Sequence, residues 1–262
     1  MDVRVGAGHD SRKPVPNSTS MDSRLRGNDG WWTGMTGMTG WKVCGLHRVD
    51  APSPPPVLHH PPLPLSDIAH MADRDRSDIA LLIIDMVNAL DFNGGDALLP
   101  AALEAATHIA ALKRRATDAG VPVIYANDNY GQWRSDFHRV VALCGGSGSR
   151  GAPLVEQVRP EATDYFVLKP SNSAFHQTPL ERLLDELGVR RLILTGIATD
   201  SCVVATAMDA NVRDLKLFVP RDCVAAESTE RNDAALGVMR ASLGADTRIG
   251  ARITADDFRG TQ

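Results

Sequence analysis

The segment Asp78-Ile-Ala-Leu-Leu-Ile-Ile-Asp85 is the stretch of this 262-residue chain that says most about the fold. Between its two acidic ends lies a continuous apolar run, Ile79–Ile84, of the length of a β-strand. A run without polar alternation is typical of a strand that is buried on both faces. Strands of this kind occur in parallel sheets, which helices cover on both sides.

Strand patterns and helix patterns alternate in the chain that follows. Helical patterns lie near 99–119, 178–187, 201–213 and 229–243, and further strand patterns lie at 121–125, 164–168, 192–195, 215–219 and 248–254. Strands that alternate with helices are joined by right-handed crossovers into a parallel sheet. The sequence therefore predicts one α/β domain over residues 78–262, with three layers: a mainly parallel six-stranded sheet and helices on both of its faces.

Residues 1–77 have a different composition, rich in proline and glycine, with 9 of the 16 prolines of the chain. No apolar periodicity continues through them, so little surface could be buried to offset the entropy of ordering. We expect a disordered extension. Met71 begins a segment typical of a cytoplasmic N-terminus, so one interpretation of residues 1–70 is translation from a start codon upstream of the true one. The alternative is a partner-binding arm with Pro54-Pro55-Pro56 as a polyproline ligand.

Charge and cysteine content exclude several classes of protein. Lys and Arg number 28 against 32 Asp and Glu, so the chain lacks the strong positive charge typical of a nucleic-acid binder. No apolar run approaches the roughly 20 residues that span a bilayer. The four cysteines lie far apart, which fits neither a disulfide framework nor a zinc ligand set. We expect a cytoplasmic protein that binds a small molecule, without a nucleic-acid or membrane partner.

Polar side chains follow several predicted strands, at the sheet edge where ligands bind in open parallel sheets. Asp85 follows the first strand, Lys169 the third, and Cys202 lies in the segment after the fourth. Each alone is commonly structural, as a helix cap, a solvated cation or a core thiol. Together they are complementary, because a helix N-terminus and a lysine lower the pKa of a thiol, and a carboxylate can accept its proton.

Three segments resemble the motifs of the isochorismatase-like cysteine hydrolases, and they occur in the order of that family. They are Ile84-Asp-Met86 with Asn88 and Phe92, Lys169-Pro-Ser-Asn-Ser-Ala-Phe175 with Thr178 and Leu180, and Gly196-Ile-Ala-Thr-Asp-Ser-Cys-Val203. The resemblance covers roughly residues 78–255. It implies an isochorismatase-like, Rossmann-like fold and, because the family commonly forms such assemblies, a homodimer or homotetramer.

The resemblance also implies a catalytic triad of Asp85, Lys169 and Cys202. Cys202 would attack a carbonyl carbon and form a covalent intermediate. Asp85 would move the proton between the thiol, the leaving amine and water, and Lys169 would stabilise the charged groups. A cis peptide bond between Ile197 and Ala198 is implied as well, with an oxyanion hole formed by the backbone amides of Ala198 and Cys202.

One segment departs from the zinc-binding nicotinamidases of the family, which carry an Asp-x-His element after the second strand. Here Asn127-Asp128-Asn129-Tyr130 has tyrosine where the histidine would stand. A single carboxylate is a poor cation site, so we expect no catalytic metal and no other cofactor. Trp133 either contacts the substrate or covers the core. The candidate substrate-binding residues are Phe92, Asn127, Asn129, Trp133 and Thr199.

The cysteine favours the amidase-like branch of the family, since isochorismatases proper cleave a vinyl ether and lack it. We predict a hydrolase that cleaves the C–N bond of a small amide, ureide or carbamoyl compound through Cys202. The alternative is a non-catalytic small-molecule binder, or a thiol redox sensor in which Cys223 approaches Cys202. The presence of both Asp85 and Lys169 favours the enzyme.

Overall fold

The computed structural model describes residues 76–131, 133 and 136–259, and a parallel sheet of six strands is its central element. The strands are β1 (Ile79–Ile84), β2 (Val123–Asp128), β3 (Tyr165–Lys169), β4 (Arg191–Ile197), β5 (Lys216–Phe218) and β6 (Val224–Ala225). The strand order is β3-β2-β1-β4-β5, and β6 pairs with β4 beyond the end of β5. Every strand pairing is parallel.

Helices follow the strands in the alternation that the sequence predicts. The helices are α1 (Gly95–Asp118), α2 (Phe137–Cys144), α3 (Ala152–Gln157), α4 (Leu180–Leu187), α5 (Val204–Val212), α6 (Thr229–Leu243) and α7 (Ala255–Arg259). A π-helical turn, Thr199–Val203, precedes α5, and a 3₁₀ turn, Gly250–Arg252, precedes α7. The short helices α2, α3 and α7 are additions to the predicted set.

Two hydrophobic cores lie on opposite faces of the sheet, because successive side chains of a strand point to opposite sides. Ile79, Leu81 and Ile83 of β1 pack in the core that contains α1, α2, α3 and α7. Ala80, Leu82 and Ile84 pack in the core that contains α4, α5 and α6. All six residues are fully buried. The predicted three-layer α/β fold is therefore confirmed.

The predicted strand at 248–254 is wrong, and the sixth strand is β6 instead. The backbone of this segment is bonded to side chains rather than to a neighbouring strand. Gly250 N donates to Asp222 Oδ1 at 2.6 Å, and the Arg115 guanidinium donates to the carbonyl oxygens of Gly250 and Ile253. These bonds hold the segment in a 3₁₀ turn, so an apolar pattern of strand length does not become a strand here.

The predicted disordered extension lies, except for its last two residues, outside the described residues and stays a prediction. Within the part that the structure describes, no helix combines the length and the apolar character needed to cross a bilayer. The chain from Arg76 onward is tied to the domain at once, since Ser77 N donates to the carbonyl oxygen of Leu187 at 2.9 Å.

Gly196 lies where β4 comes closest to β1. It pairs with Ile84 in the sheet and has a φ of 114°, which a residue with a side chain rarely adopts. A Cβ added at this position would stand 2.0 Å from the carbonyl oxygen of Ile84. The close approach of β4 to β1 therefore requires glycine at position 196. Asp85 follows β1 directly after this contact, and Cys202 follows β4 a few residues later.

We predict that Gly196→Ala lowers the free energy of unfolding by about 3 kcal/mol or more, because the backbone of β1 cannot move away. The matched control is Gly237→Ala in α6, where an added Cβ meets no atom within 4 Å. There alanine should raise the free energy of unfolding by about 0.5–1 kcal/mol. Urea denaturation followed by circular dichroism measures both, and equal effects of the two substitutions would contradict the explanation.

Candidate active site

The carboxyl edge of the sheet brings an acid, an amine and a thiol together. Asp85 directly follows β1, Lys169 is the last residue of β3, and Cys202 lies in the π-helical turn after β4. Lys169 Nζ is 2.8 Å from Asp85 Oδ2 and 3.5 Å from Cys202 Sγ. The carboxylate of Asp85 also lies close enough to the thiol to raise its pKa. The three side chains thus form one connected group.

The orientation of the Asp85 side chain is set by its own backbone conformation and by a hydrogen bond from the backbone of β2. Its own backbone turns into the left-handed region, with a φ of 51°, as the chain leaves β1. Its second carboxylate oxygen, Oδ1, accepts a hydrogen bond of 2.8 Å from the backbone N of Asp128 at the end of β2. A non-glycine residue in this region costs roughly 1 kcal/mol or more, and such positions cluster at functional sites. The turn aims the carboxylate at Lys169 and Cys202.

Lys169 is fully buried, with all three of its N–H donors engaged. The ammonium donates to Asp85 Oδ2, to Cys202 Sγ and, at 3.1 Å, to the carbonyl oxygen of Ser171. Burying a charge is costly unless it is paired and hydrogen-bonded, and here both conditions are met. This pairing leaves Lys169 able to stabilise negative charge on either neighbour without moving.

Burial and mutual charge set the protonation states of the group. Burial raises the pKa of Asp85, and the ammonium of Lys169 partly offsets this. Burial is the largest single effect on Lys169 and lowers its pKa, but the negative charges of Asp85, Cys202 and Asp128 and the hydrogen bond to Asp85 together outweigh it, and the net pKa is raised. Burial and the carboxylate of Asp85 raise the pKa of the Cys202 thiol to about 12.

The expectation of a lowered thiol pKa at Cys202 is therefore wrong. The lysine does lower it, but burial and the adjacent carboxylate have the larger combined effect. At neutral pH the thiol keeps its proton. A chemical role for the sulfur as a nucleophile then requires a base beside it, and the Asp85 carboxylate lies close enough to raise the pKa of the thiol.

The turn that carries Cys202 has the backbone form that the family resemblance implies. The peptide bond between Ile197 and Ala198 is cis. The carbonyl oxygen of Ala198 accepts hydrogen bonds from the backbone N of Ser201 and of Val203. Thr206 Oγ1 donates to the carbonyl oxygen of Cys202 at 2.7 Å, which joins the turn to α5.

A cavity of about 330 Å³ opens in front of Cys202 and Asp85. The thiol is partly exposed, whereas the carboxylate and the ammonium behind it are buried. Ala198 and Cys202, whose amides are the predicted oxyanion donors, both line the cavity. The lining residues are Asp85, Asn88, Phe92, Leu98, Asp128, Tyr130, Ile197, Ala198, Ser201, Cys202, Glu227 and Arg231.

Among the candidate substrate-binding residues, the structure places Phe92 in the cavity wall and the others outside it. Asn127 is fully buried and donates to the carbonyl oxygen of Val87 at 2.7 Å, which ties the end of β2 to the segment after β1. Asn129 accepts from Gly131 N, and Thr199 is hydrogen-bonded to Asn232 at 2.6 Å. Trp133 is 79% exposed.

Several cavity residues were not predicted as substrate contacts. Tyr130 and Asp128 lie beside the chosen asparagines, and the alternation of side chains after β2 could have selected them. Glu227 directly precedes the N-cap residue of α6 and Arg231 lies in the first turn of that helix, far along the chain from the other motifs. Their spacing of four residues, with opposite charges, indicates a pair on a helix start but not its position beside Cys202.

A catalytic metal is not implied by the arrangement of side chains. In the described residues, no three His, Cys, Asp or Glu side chains are grouped as a ligand set. The expectation that the protein uses no metal stays a prediction.

Comparisons with known proteins agree with the fold and the motifs. A family model, the isochorismatase domain, matches residues 79–249. The isochorismatase family protein YaaI of Bacillus subtilis is 40% identical over 171 residues, which are 65% of this chain and 93% of that protein. Maleamate amidohydrolase of Pseudomonas putida is 28% identical over 186 residues, which are 68% of this chain and 84% of that protein.

Solved structures are similar as well. The crystal structure of N-carbamoylsarcosine amidase from Thermoplasma acidophilum matches with a TM-score of 0.53 and 28% identity, over 67% of this chain and 98% of that chain. The region that the family model matches contains all six strands, together with Asp85, Lys169 and Cys202. The chain therefore belongs to the isochorismatase family of hydrolases.

Proposed function

We propose that the protein hydrolyses the C–N bond of a small amide, ureide or carbamoyl compound through a covalent intermediate on Cys202. The observation that carries the proposal is that the Lys169 ammonium contacts both the Cys202 thiol, at 3.5 Å, and the Asp85 carboxylate, at 2.8 Å, beside a cavity that Asp85 and Cys202 line. Two similar proteins, a maleamate amidohydrolase and an N-carbamoylsarcosine amidase, are named for the cleavage of such bonds.

The first half of the reaction forms the intermediate. The substrate carbonyl carbon lies against Cys202 Sγ, and Asp85 takes the thiol proton as the sulfur attacks. The carbonyl oxygen becomes negatively charged and is bound by the backbone amides of Ala198 and Cys202, a contact that typically contributes about a hundredfold in rate. The C–N bond then breaks, the leaving nitrogen takes the proton from Asp85, and a thioester and a free amine or ammonia result.

The second half returns the enzyme to its starting state. Asp85 takes a proton from a water molecule, and the oxygen attacks the thioester carbonyl. The sulfur leaves and recovers its proton from Asp85, which releases the acid product. Lys169 stays charged throughout, and its contacts with Asp85 and Cys202 stabilise whichever of the two carries the negative charge.

The redox-sensor alternative finds little support in the packing. Cys202 packs against the core that contains α4, α5 and α6, whereas Cys223 is fully buried in the core on the other face of the sheet. Burial and the neighbouring Asp222 also raise the pKa of the Cys223 thiol. A resolving cysteine has to reach the sulfur that it attacks, and the sheet separates these two.

We predict that Cys202→Ala abolishes amide hydrolysis and leaves the fold intact, because the side chain is small and partly exposed. The test is ammonia release from a panel of small amides, ureides and carbamoyl compounds, with circular dichroism as the check of folding. Cys223→Ala is the matched control and should keep most of the activity. Full turnover by the folded Cys202→Ala protein would refute the covalent mechanism.

We predict that Asp85→Asn makes Cys202 more reactive towards iodoacetamide while abolishing hydrolysis. Removing the carboxylate lowers the thiol pKa from about 12, because Asp85 raises it and the ammonium of Lys169 remains. More thiolate is then present at pH 8, so alkylation speeds up. Hydrolysis nevertheless stops, because no base passes the proton to the leaving nitrogen.

The alkylation rate of Cys202 is measured by peptide mass spectrometry between pH 7 and 10 in both proteins. The wild-type rate should rise over this whole range without a plateau, and the variant should reach its plateau at lower pH. Slower alkylation of the folded variant at pH 8 would show that Asp85 activates the thiol at rest, contrary to the proposed proton transfer.

A further inference from the structure

The charges around the cavity do not cancel. Asp85 is balanced by Lys169, but Asp128 and Glu227 also line the cavity, and Arg231 is the only cation among its described lining residues. Asp128 makes no ion pair within the described part of the chain, and its Oδ1 accepts a hydrogen bond from the backbone N of Tyr130. The side of the cavity beyond the thiol is therefore negative.

Arg231 does not offset this excess, because two carboxylates share it. Its Nε donates to Asp200 Oδ2 at 2.5 Å, and its Nη1 is paired with Glu227. Asp200 Oδ1 is buried and has no hydrogen-bond partner among the described residues. The group of Asp200, Glu227 and Arg231 thus carries a net charge of about −1 at neutral pH, and its guanidinium is already occupied.

Between these charged groups the cavity wall is aromatic and aliphatic. Phe92, Leu98, Tyr130 and Ile197 line it, and Phe92 is 45% exposed. Aromatic faces attract cations through the ring quadrupole, and a cleft with low-dielectric walls focuses the field of its charges. The same field repels a carboxylate, which would also lose its hydration on entering.

We propose that this cavity selects amides whose far end is positively charged, accepts neutral ones and rejects those that carry a carboxylate. The proposal rests on the proposed function, because it concerns the substrate of the same Cys202 site. Asp128 and Glu227 are the specificity-determining residues. The reacting carbonyl lies at Cys202, and an ammonium or guanidinium group on the substrate lies between the two carboxylates and the aromatic wall.

The cavity potential is measured without turnover, by the reaction of Cys202 with two methanethiosulfonates of opposite charge. One reagent carries a trimethylammonium group and the other a sulfonate, and modification of Cys202 is followed by peptide mass spectrometry at low ionic strength. The ratio of the two rate constants cancels any change in thiol pKa. The reference is 2-mercaptoethanol, a neutral thiol in solution. We expect the ratio of the cationic to the anionic rate constant to be about fivefold or more higher for Cys202 than for 2-mercaptoethanol.

Variants assign the potential to its sources. Glu227→Gln and Asp128→Asn should each lower the ratio several-fold, and Arg231→Gln should raise it. Asp118→Asn, an exposed acid at the end of α1 and at the opposite edge of the sheet, is the matched control and should leave the ratio unchanged. A ratio for Cys202 equal to or below that of 2-mercaptoethanol overturns the proposal, as does a ratio that Glu227→Gln and Asp128→Asn leave unchanged.

Substrate preference is then tested with three primary amides of one chain length: 4-aminobutanamide, pentanamide and succinamate. The rate of ammonia release should be highest for the cationic amide, intermediate for the neutral one and lowest for the anionic one. Glu227→Gln should reduce the differences between these three rates. Fastest release from succinamate overturns the proposed selectivity but supports hydrolysis. If neither these three amides nor any compound of the broader panel releases ammonia, the result counts against the proposed function. The ratio of the reagent rate constants then tests the charge preference of the cavity by itself.

Discussion

The buried ion pair between Asp85 and Lys169 is the interaction on which the rest of the site depends. Two charges removed from water are tolerated only where each finds an opposite charge and further hydrogen bonds, and here Asp128 N and the carbonyl oxygen of Ser171 supply them. β1 and β3, which carry the pair, are separated by β2 in the sheet. The pair therefore spans three strands and holds the sheet edge, where Cys202 lies beside both partners.

This arrangement keeps the Cys202 thiol protonated at rest and places a carboxylate that could accept its proton beside it. A thiol with a pKa of about 12 is a poor nucleophile in solution, and it resists oxidation and metal binding for the same reason. In the proposed reaction the thiol gives its proton to the Asp85 carboxylate, whose charge the Lys169 ammonium balances, when a substrate carbonyl is in place. The reactivity that we propose therefore depends on all three side chains and on the substrate, not on the cysteine alone.

Local patterns were reliable where one kind of interaction decides the structure. The apolar run Ile79–Ile84 was correctly predicted as a strand buried on both faces, and the helix patterns before Gly120 and Gly188 were also confirmed. The strand prediction at 248–254 was wrong because the side chains of Arg115 and Asp222 form hydrogen bonds with the backbone of this segment. Nothing in the segment itself indicates these partners, which lie far away in the sequence. The hydrogen bond from Asn127 to the carbonyl oxygen of Val87 is likewise a tertiary contact that the local pattern does not show.

The sequence by itself determined the α/β fold through its periodicity, and the resemblance of its motifs to those of a known family selected Asp85, Lys169 and Cys202 as the candidate acid, amine and thiol. Only the tertiary structure decided the protonation of Cys202, the cavity wall of Tyr130, Glu227 and Arg231, and the excess of negative charge around it. The physical reason is that pKa values and cavity potentials depend on burial and on distances between charges. Those distances arise only when residues from separate strands and helices come together at one edge of the sheet.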